Sequence, residues 1–143
     1  MTNVLANAPT VAPGTAGLLG ELSRTDVDRL RHHSRPEALA TGTPLWEQGR
    51  PATAGAIVIT GTAEVHRSGR RVGRIEPGAL AGIPAVLARH PHRTTVVAAT
   101  PMTVWWLDGD IVDQLVLEAP TFAQALVRRL ARATVARASS ESQ

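Results

Sequence analysis

Apolar positions recur along the chain with two rhythms, and the changes between them divide it. In LSRTDVDRLRHH (22–33) they fall at Leu22, Val27 and Leu30 among charged residues, the spacing of one helical face. Ser23 stands where an N-cap belongs, Asp26 meets the positive end of the helix dipole, and Leu22 is placed to staple onto Val27. Pro36 bars continuation. From 38 to 107 the pattern shortens to β-type runs punctuated by Gly and Pro: ALA, PLWEQ, AIVIT, TAEVHR, RVGRI, TTVVAA and MTVWWL. TAEVHR and RVGRI tend to alternate, as half-buried strands do, whereas AIVIT and TTVVAA are more continuously apolar. Ser68-Gly69 predicts a hairpin turn, and Pro77-Gly78 a turn in which glycine supplies positive φ. So many short strands predict an all-β sandwich, barrel or roll.

After Asp108 the helical period returns. Ile111, Val112, Leu115 and Val116 mark a short amphipathic helix over 110–117, with Asp108 and Asp110 as its expected capping residues. Pro120 interrupts, and TFAQALVRRLARATVARA (121–138) predicts a longer helix. Its apolar positions form two stripes, Phe122, Leu126, Leu130 and Ala133 beside Val127, Ala131 and Val135. A helix apolar over that width needs more than one surface to cover it. The expected layout is a flexible tail over 1–17, one domain over 18–138 with its β-unit at about 38–107 and C-terminal helices at about 109–138, and a frayed tail over 139–143.

Composition narrows the function. The chain has 143 residues, enough for one domain with a real core. With 43% apolar but 3% aromatic residues, that core is built from Val, Leu, Ile and Ala. No cysteine is present, which excludes disulfides, thiol catalysis and Cys-based zinc sites, and no lysine, which excludes Schiff-base chemistry. A net charge of +3 is too small to argue for nucleic acid. Residues 1–17 lack the basic start of a secretory signal, and no run approaches the roughly 18 apolar residues of a membrane span. The expectation is a cytoplasmic protein with no membrane association. Neither a Ser/His/Asp grouping, a phosphate-binding Walker loop nor paired carboxylates stand out, so no enzyme activity is expected.

The order helix, many-stranded β-unit, helix, long helix carries a resemblance. LWEQGRPATAGAIVITGTAEV (45–65) has strand, glycine turn, strand, glycine turn, strand, with turns at Gly49 and Gly61. RVGRIEPGALAG (71–82) is a hairpin return with a Pro-Gly turn, and TTVVAATPMTVWWLD (94–108) gives two strands ending on Asp. Over about residues 18–137 the chain resembles the cyclic nucleotide-binding domain of the catabolite-activator family, kinase regulatory subunits and nucleotide-gated channels. The resemblance implies a mainly β fold with flanking helices. This is a jelly-roll-like β-roll, or double-stranded β-helix, with one N-terminal and two C-terminal helices.

It also implies a ligand site at LAGIPAVLARHPHRTTV (80–96). The family's cassette carries a Gly-Glu pair, a short helical turn, and a Pro-Arg pair; the Glu accepts from ribose and the Arg binds the cyclic phosphate. Here the corresponding positions are Gly82-Ile83 and Pro91-His92, with Pro84 and Ala85 opening the turn and Arg93 and Thr94 following. Ile83 can accept nothing, and His92 is mostly neutral near pH 7. Arg93 is long enough to swing back, although adjacent strand residues point to opposite faces. Losing two charge-assisted contacts weakens binding by roughly two to four decades. The site is thus expected to be degenerate. The chain is expected to be a non-catalytic regulatory or scaffold module acting through protein contacts, without a cofactor; a cyclic nucleotide is the ligand the resemblance would otherwise imply. The alternatives are a genuine nucleotide sensor with an altered clamp using Arg93 and His92, or a sensor of another small ligand.

Other features read more simply as structure. His90, His92, His32 and His33 lack a third ligand at a diagnostic spacing for metal or haem. Trp105 and Trp106 face opposite sides of a strand, one expected in the core and the other near a helix, and Trp46 is expected in the core. Arg128, Arg129, Arg132 and Arg137 form a basic face on the last helix. No helix-turn-helix follows it, so no operator DNA is expected. In the family that helix lids the ligand and pairs subunits, which implies a homodimer or effector contact through Phe122, Leu126, Val127, Arg129, Leu130 and Thr134.

Overall fold

The computed structural model describes the backbone of residues 17–141 and the side chains of residues 17–136. Residues 1–16 and 142–143 of the expected tails, and the side chain of Arg137, lie outside them. After a short 3-10 turn at Leu19–Glu21 come helix α1 (Arg24–His33) and strands β1 (Arg35–Leu39), β2 (Pro44–Trp46), β3 (Ala54–Thr60), β4 (Ala63–Arg67), β5 (Arg70–Ile75) and β6 (Leu80–Ala81). They are followed by α2 (Ile83–Ala88), β7 (Thr95–Ala98), β8 (Met102–Asp108), α3 (Gly109–Glu118) and α4 (Pro120–Glu141), so residues 139–141, expected as tail, continue the helix.

The strands form two four-stranded antiparallel sheets, β1-β8-β3-β6 and β2-β7-β4-β5. Between them pack Leu39, Ala56, Val58, Ala63, Val96, Ala98, Met102 and Val104. The outer face of the first sheet, with Ile57, Ile59, Trp105 and Leu107, is covered by Leu30 of α1, Ile83 of α2, Val112 and Leu115 of α3, and Phe122 and Leu126 of α4. β3 is therefore buried on both faces, six of its seven residues being inaccessible, which is why AIVIT reads as continuously apolar. β7 belongs to the second sheet and keeps one face half open, at Thr95 and Val97. The Ser68-Gly69 turn has φ of 52° and 82°, the two positive values of a type I′ hairpin.

Ser23 caps α1, its hydroxyl accepting from the Asp26 amide at 3.1 Å. Asp26 does more than meet a dipole. Its carboxylate is 2% exposed and accepts from the Thr121 amide at 2.8 Å and from the Thr121 hydroxyl. Arg29 donates to the Glu118 carbonyl. The first and last helices are thus tied at their N-termini, a contact invisible in local patterning because it joins residues 95 apart.

Three expectations need correction. Asp108 occupies the N-cap of α3 but makes no capping hydrogen bond. It takes a two-pronged contact from Arg35 of the neighbouring strand instead, at 2.7 and 3.3 Å. Trp105 is fully buried among the helices, but Trp106 faces the space between the sheets and meets Trp46 edge-on at 6.3 Å, not a helix. Trp46 itself is only half buried.

The last helix divides along its stripes as far as Leu130, Ala133 of the first stripe being exposed, with a consequence for the partner residues. Phe122 and Leu126 are buried in the protein's own core, Leu130 flanks it, and Arg129 pairs with Glu21 at 2.6 Å. Val127 faces outward, 65% exposed, and the side chains of residues 131–136 are all exposed, Thr134 and Val135 among them.

Candidate functional site

A cleft of about 780 Å³ opens where β4, β5, β6, α2 and the loop before β7 converge. Gly82 makes its geometry possible. Its φ is +80°, and a Cβ there would stand 2.9 Å from the Trp46 ring, so only glycine lets β6 turn into α2 against that indole. Pro84 suits the first turn of α2, where its missing N–H leaves no gap in the helical ladder.

The loop after α2 is held by its backbone. The His92 amide donates to the Arg50 carbonyl at 2.9 Å, and its carbonyl accepts from the Gly49 amide at 2.8 Å. Gly49 thus ties the β2–β3 turn to the cassette. The His92 ring is 5% exposed and lies flat on Trp46, centroids 4.5 Å apart and planes 6° from parallel. Burial pushes its pKa below the ordinary 6.5, so the imidazole is neutral at pH 7. Position 92, where the resemblance leads one to expect a phosphate ligand, therefore holds an uncharged ring committed to a stack.

Ile83 lies elsewhere. It is 1% exposed and packs in the outer core, its Cδ1 filling the space a Cβ on Gly55 would need. It does not line the cleft, because burying a large aliphatic group contributes about 1.5–3 kcal/mol and the helical layer beside it offers that burial. Gly82, Pro84, Ala85, His92, Arg93 and Thr94 all do line it.

The cleft also gathers residues outside the cassette. Val65, Leu80, Ala81, Ala88 and Val96 supply apolar wall, while Arg67, Arg74 and Glu76 come from the β4–β5 hairpin and the residue after it. Arg74 donates to Glu76 at 2.9 Å. Arg67 and Arg93 have no acidic partner within 4.0 Å among the described residues. The sequence signal for Arg67 was its period-two spacing from Val65, which puts both on the inner face. A smaller cleft of about 290 Å³, edged by Arg35, Glu37 and Trp106, shares Trp46 and His92 with the first, so the stacked pair borders both. Among the described residues no group of three His, Cys, Asp or Glu side chains is placed to hold a metal, and no helix is long and apolar enough to cross a membrane.

An eight-stranded antiparallel roll, a short helix beside a cleft and a helical layer on one sheet define a jelly-roll-like β-roll with flanking helices. The family model for the cyclic nucleotide-binding domain matches residues 36–119, and the chain belongs to that family. Among solved structures it is similar to the Thermus thermophilus catabolite activator protein, with 24% identity and a TM-score of 0.78 over 91% of this chain and 61% of that one. The N-terminal domain of a Streptomyces coelicolor transcriptional regulator is similar along 95% of both chains, at 24% identity and a TM-score of 0.69. A cAMP-binding acyltransferase from Mycobacterium smegmatis reaches 28% identity and a TM-score of 0.67 over 87% of this chain and 40% of its own. This chain thus spans about three fifths of the activator's length and less than half of the acyltransferase's. No curated protein matches it.

Proposed function

We propose that the chain is a non-catalytic regulatory module that acts through protein contacts and binds cyclic nucleotides weakly or not at all. The observation that carries this reading is the His92–Trp46 stack. The position that would meet the cyclic phosphate holds a buried neutral ring, 5% exposed, with its face already occupied. The ribose position supports it too, since Ile83 is packed into the outer core. Without the two charge-assisted contacts, affinity falls by roughly two to four decades. Titration calorimetry with cyclic AMP and cyclic GMP is expected to show no saturable binding tighter than about 10 μM. Tighter binding that is abolished by Arg93→Ala would overturn the reading. It would establish instead an altered phosphate clamp, for which the presence of Arg93 in the cleft is the supporting observation.

The contact surface belongs to the same proposal. The outward stripe of α4, with Val127, Ala131, Thr134 and Val135, meets a second copy of the chain, Phe122, Leu126 and Leu130 of the inner stripe being used within the protomer. Small side chains along that stripe allow close approach of two helices, and Arg128 and Arg132 at its edge stay solvated.

A further inference from the structure

Strand pairing brings two guanidinium groups to one cleft. His66 of β4 stands opposite Thr95 of β7, so the same register carries Arg67 towards Thr94, the residue that follows Arg93. Both arginines line the cavity, and no acid lies within salt-bridge distance of either among the described residues. Two positive side chains thus border one cavity without an acid to neutralise either, and an anion there can accept charge-assisted hydrogen bonds from both.

The rest of the wall selects the body of such an anion. Leu80, Ala81, Ala85, Ala88 and Val96 are apolar and mostly small, and Gly73 opposite Val65 leaves that side open. The carboxylate in the cleft, Glu76, is already engaged by Arg74 at 2.9 Å, and Ile83 is turned into the core. A sugar hydroxyl finds no free carboxylate to accept from it there. The volume, about 780 Å³, suits a small molecule.

We propose that this cleft binds a small amphipathic anion, a carboxylate or phosphate monoester head on an apolar body that carries no ribose. The head lies between Arg67 and Arg93, and the body runs along the alanine-rich wall of β6 and α2. The proposal rests on the reading that the nucleotide clamp is lost.

Calorimetry on the full chain with decanoate, decyl phosphate, decanol and cyclic AMP tests it. Saturable binding is expected for at least one decyl anion, with decanol weaker by about tenfold or more. Arg67→Ala and Arg93→Ala each weaken that binding by about tenfold or more, whereas Arg70→Ala, on the hairpin outside the cleft, leaves it unchanged. Both arginines are exposed, so unaltered melting temperatures confirm that the variants fold. Decanol binding as tightly as the anions, or anion affinity indifferent to both substitutions, would overturn the proposal. Silence from both decyl anions with cyclic AMP also silent overturns this inference alone. Cyclic AMP binding tighter than about 10 μM with the decyl anions silent overturns the loss of the nucleotide clamp as well.

Discussion

Asp26 and His92 are both buried, at 2% and 5% exposure, and the surroundings set their charge in different ways. Burial alone would raise the pKa of Asp26. The Thr121 hydroxyl and amide, the charge of Arg29 and the Ser23 hydroxyl outweigh it, so the carboxyl lies below its ordinary 3.8. His92 has burial without a compensating partner, and its pKa falls below 6.5. In both cases the native state holds its proton less tightly than the unfolded chain, so acid favours unfolding. The His92 contribution is complete above about pH 6.5 and declines as pH falls towards and through its lower native value. The Asp26 contribution is complete above about pH 3.8 and is lost as pH falls through its own depressed value. Urea titrations across this range should show both steps. His92→Phe, which keeps a ring on Trp46, should flatten the upper one; Asp26→Asn should flatten the lower and cost about 1–3 kcal/mol at neutral pH. An unchanged slope below pH 6.5 in His92→Phe would show that the buried imidazole is not its source.

At the scale of elements, the β4–β5 hairpin makes the plainest forecast. Ser68 adopts φ of 52°, a region that costs an ordinary side chain energy, while its amide donates to Gln48 Oε1 at 2.7 Å. Ser68→Asn keeps that amide and suits the turn, so it should raise stability by about 0.5–1 kcal/mol in thermal or urea unfolding; a loss would mean that the Ser68 hydroxyl matters more than the backbone. That turn was legible because Ser-Gly between two charged strands has a local cause. So were Ser23 as a cap and the buried run AIVIT, each set by its own neighbours. The carboxylates were legible as types but not as partners. Asp26 and Asp108 were read as helix-end charges, yet their contacts, Thr121 and Arg35, lie 95 and 73 residues away. The candidate cleft was half legible. The cassette residues announce themselves by spacing; Arg67 shares a face with Val65 by spacing but reaches the cassette through the β4–β7 register, and Ile83 leaves because the helical layer offers it burial.

Across the whole molecule, the helical layer and the roll depend on each other. Ile57, Ile59, Trp105 and Leu107 on the outer face of the first sheet would face water without α1, α3 and α4. The Asp26–Thr121 contact fastens the first of those helices to the last. Beyond Leu130 the last helix leaves this shelter, and a solitary exposed stretch of that length is marginal in water. In the proposed homodimer, a second copy supplies the missing contacts. Light scattering should therefore give twice the 15.1 kDa of one chain, and Val127→Asp with Val135→Asp should halve it. A single-chain mass that persists at high concentration removes the homodimer from the proposal. The sheets show the opposite policy towards strangers. Pro36 takes a backbone donor from β1, Pro44 opens a β2 of three residues, β6 has two, and β5 carries Arg70, Arg71 and Arg74 beside a register shift. These are the outermost strands of both sheets, and each is too short, too charged or too poor in donors to template another chain. The consequence is colloidal: a chain rich in valine and isoleucine runs offers fibril growth little purchase at its rims, so the proposed meeting of copies falls to the exposed helix.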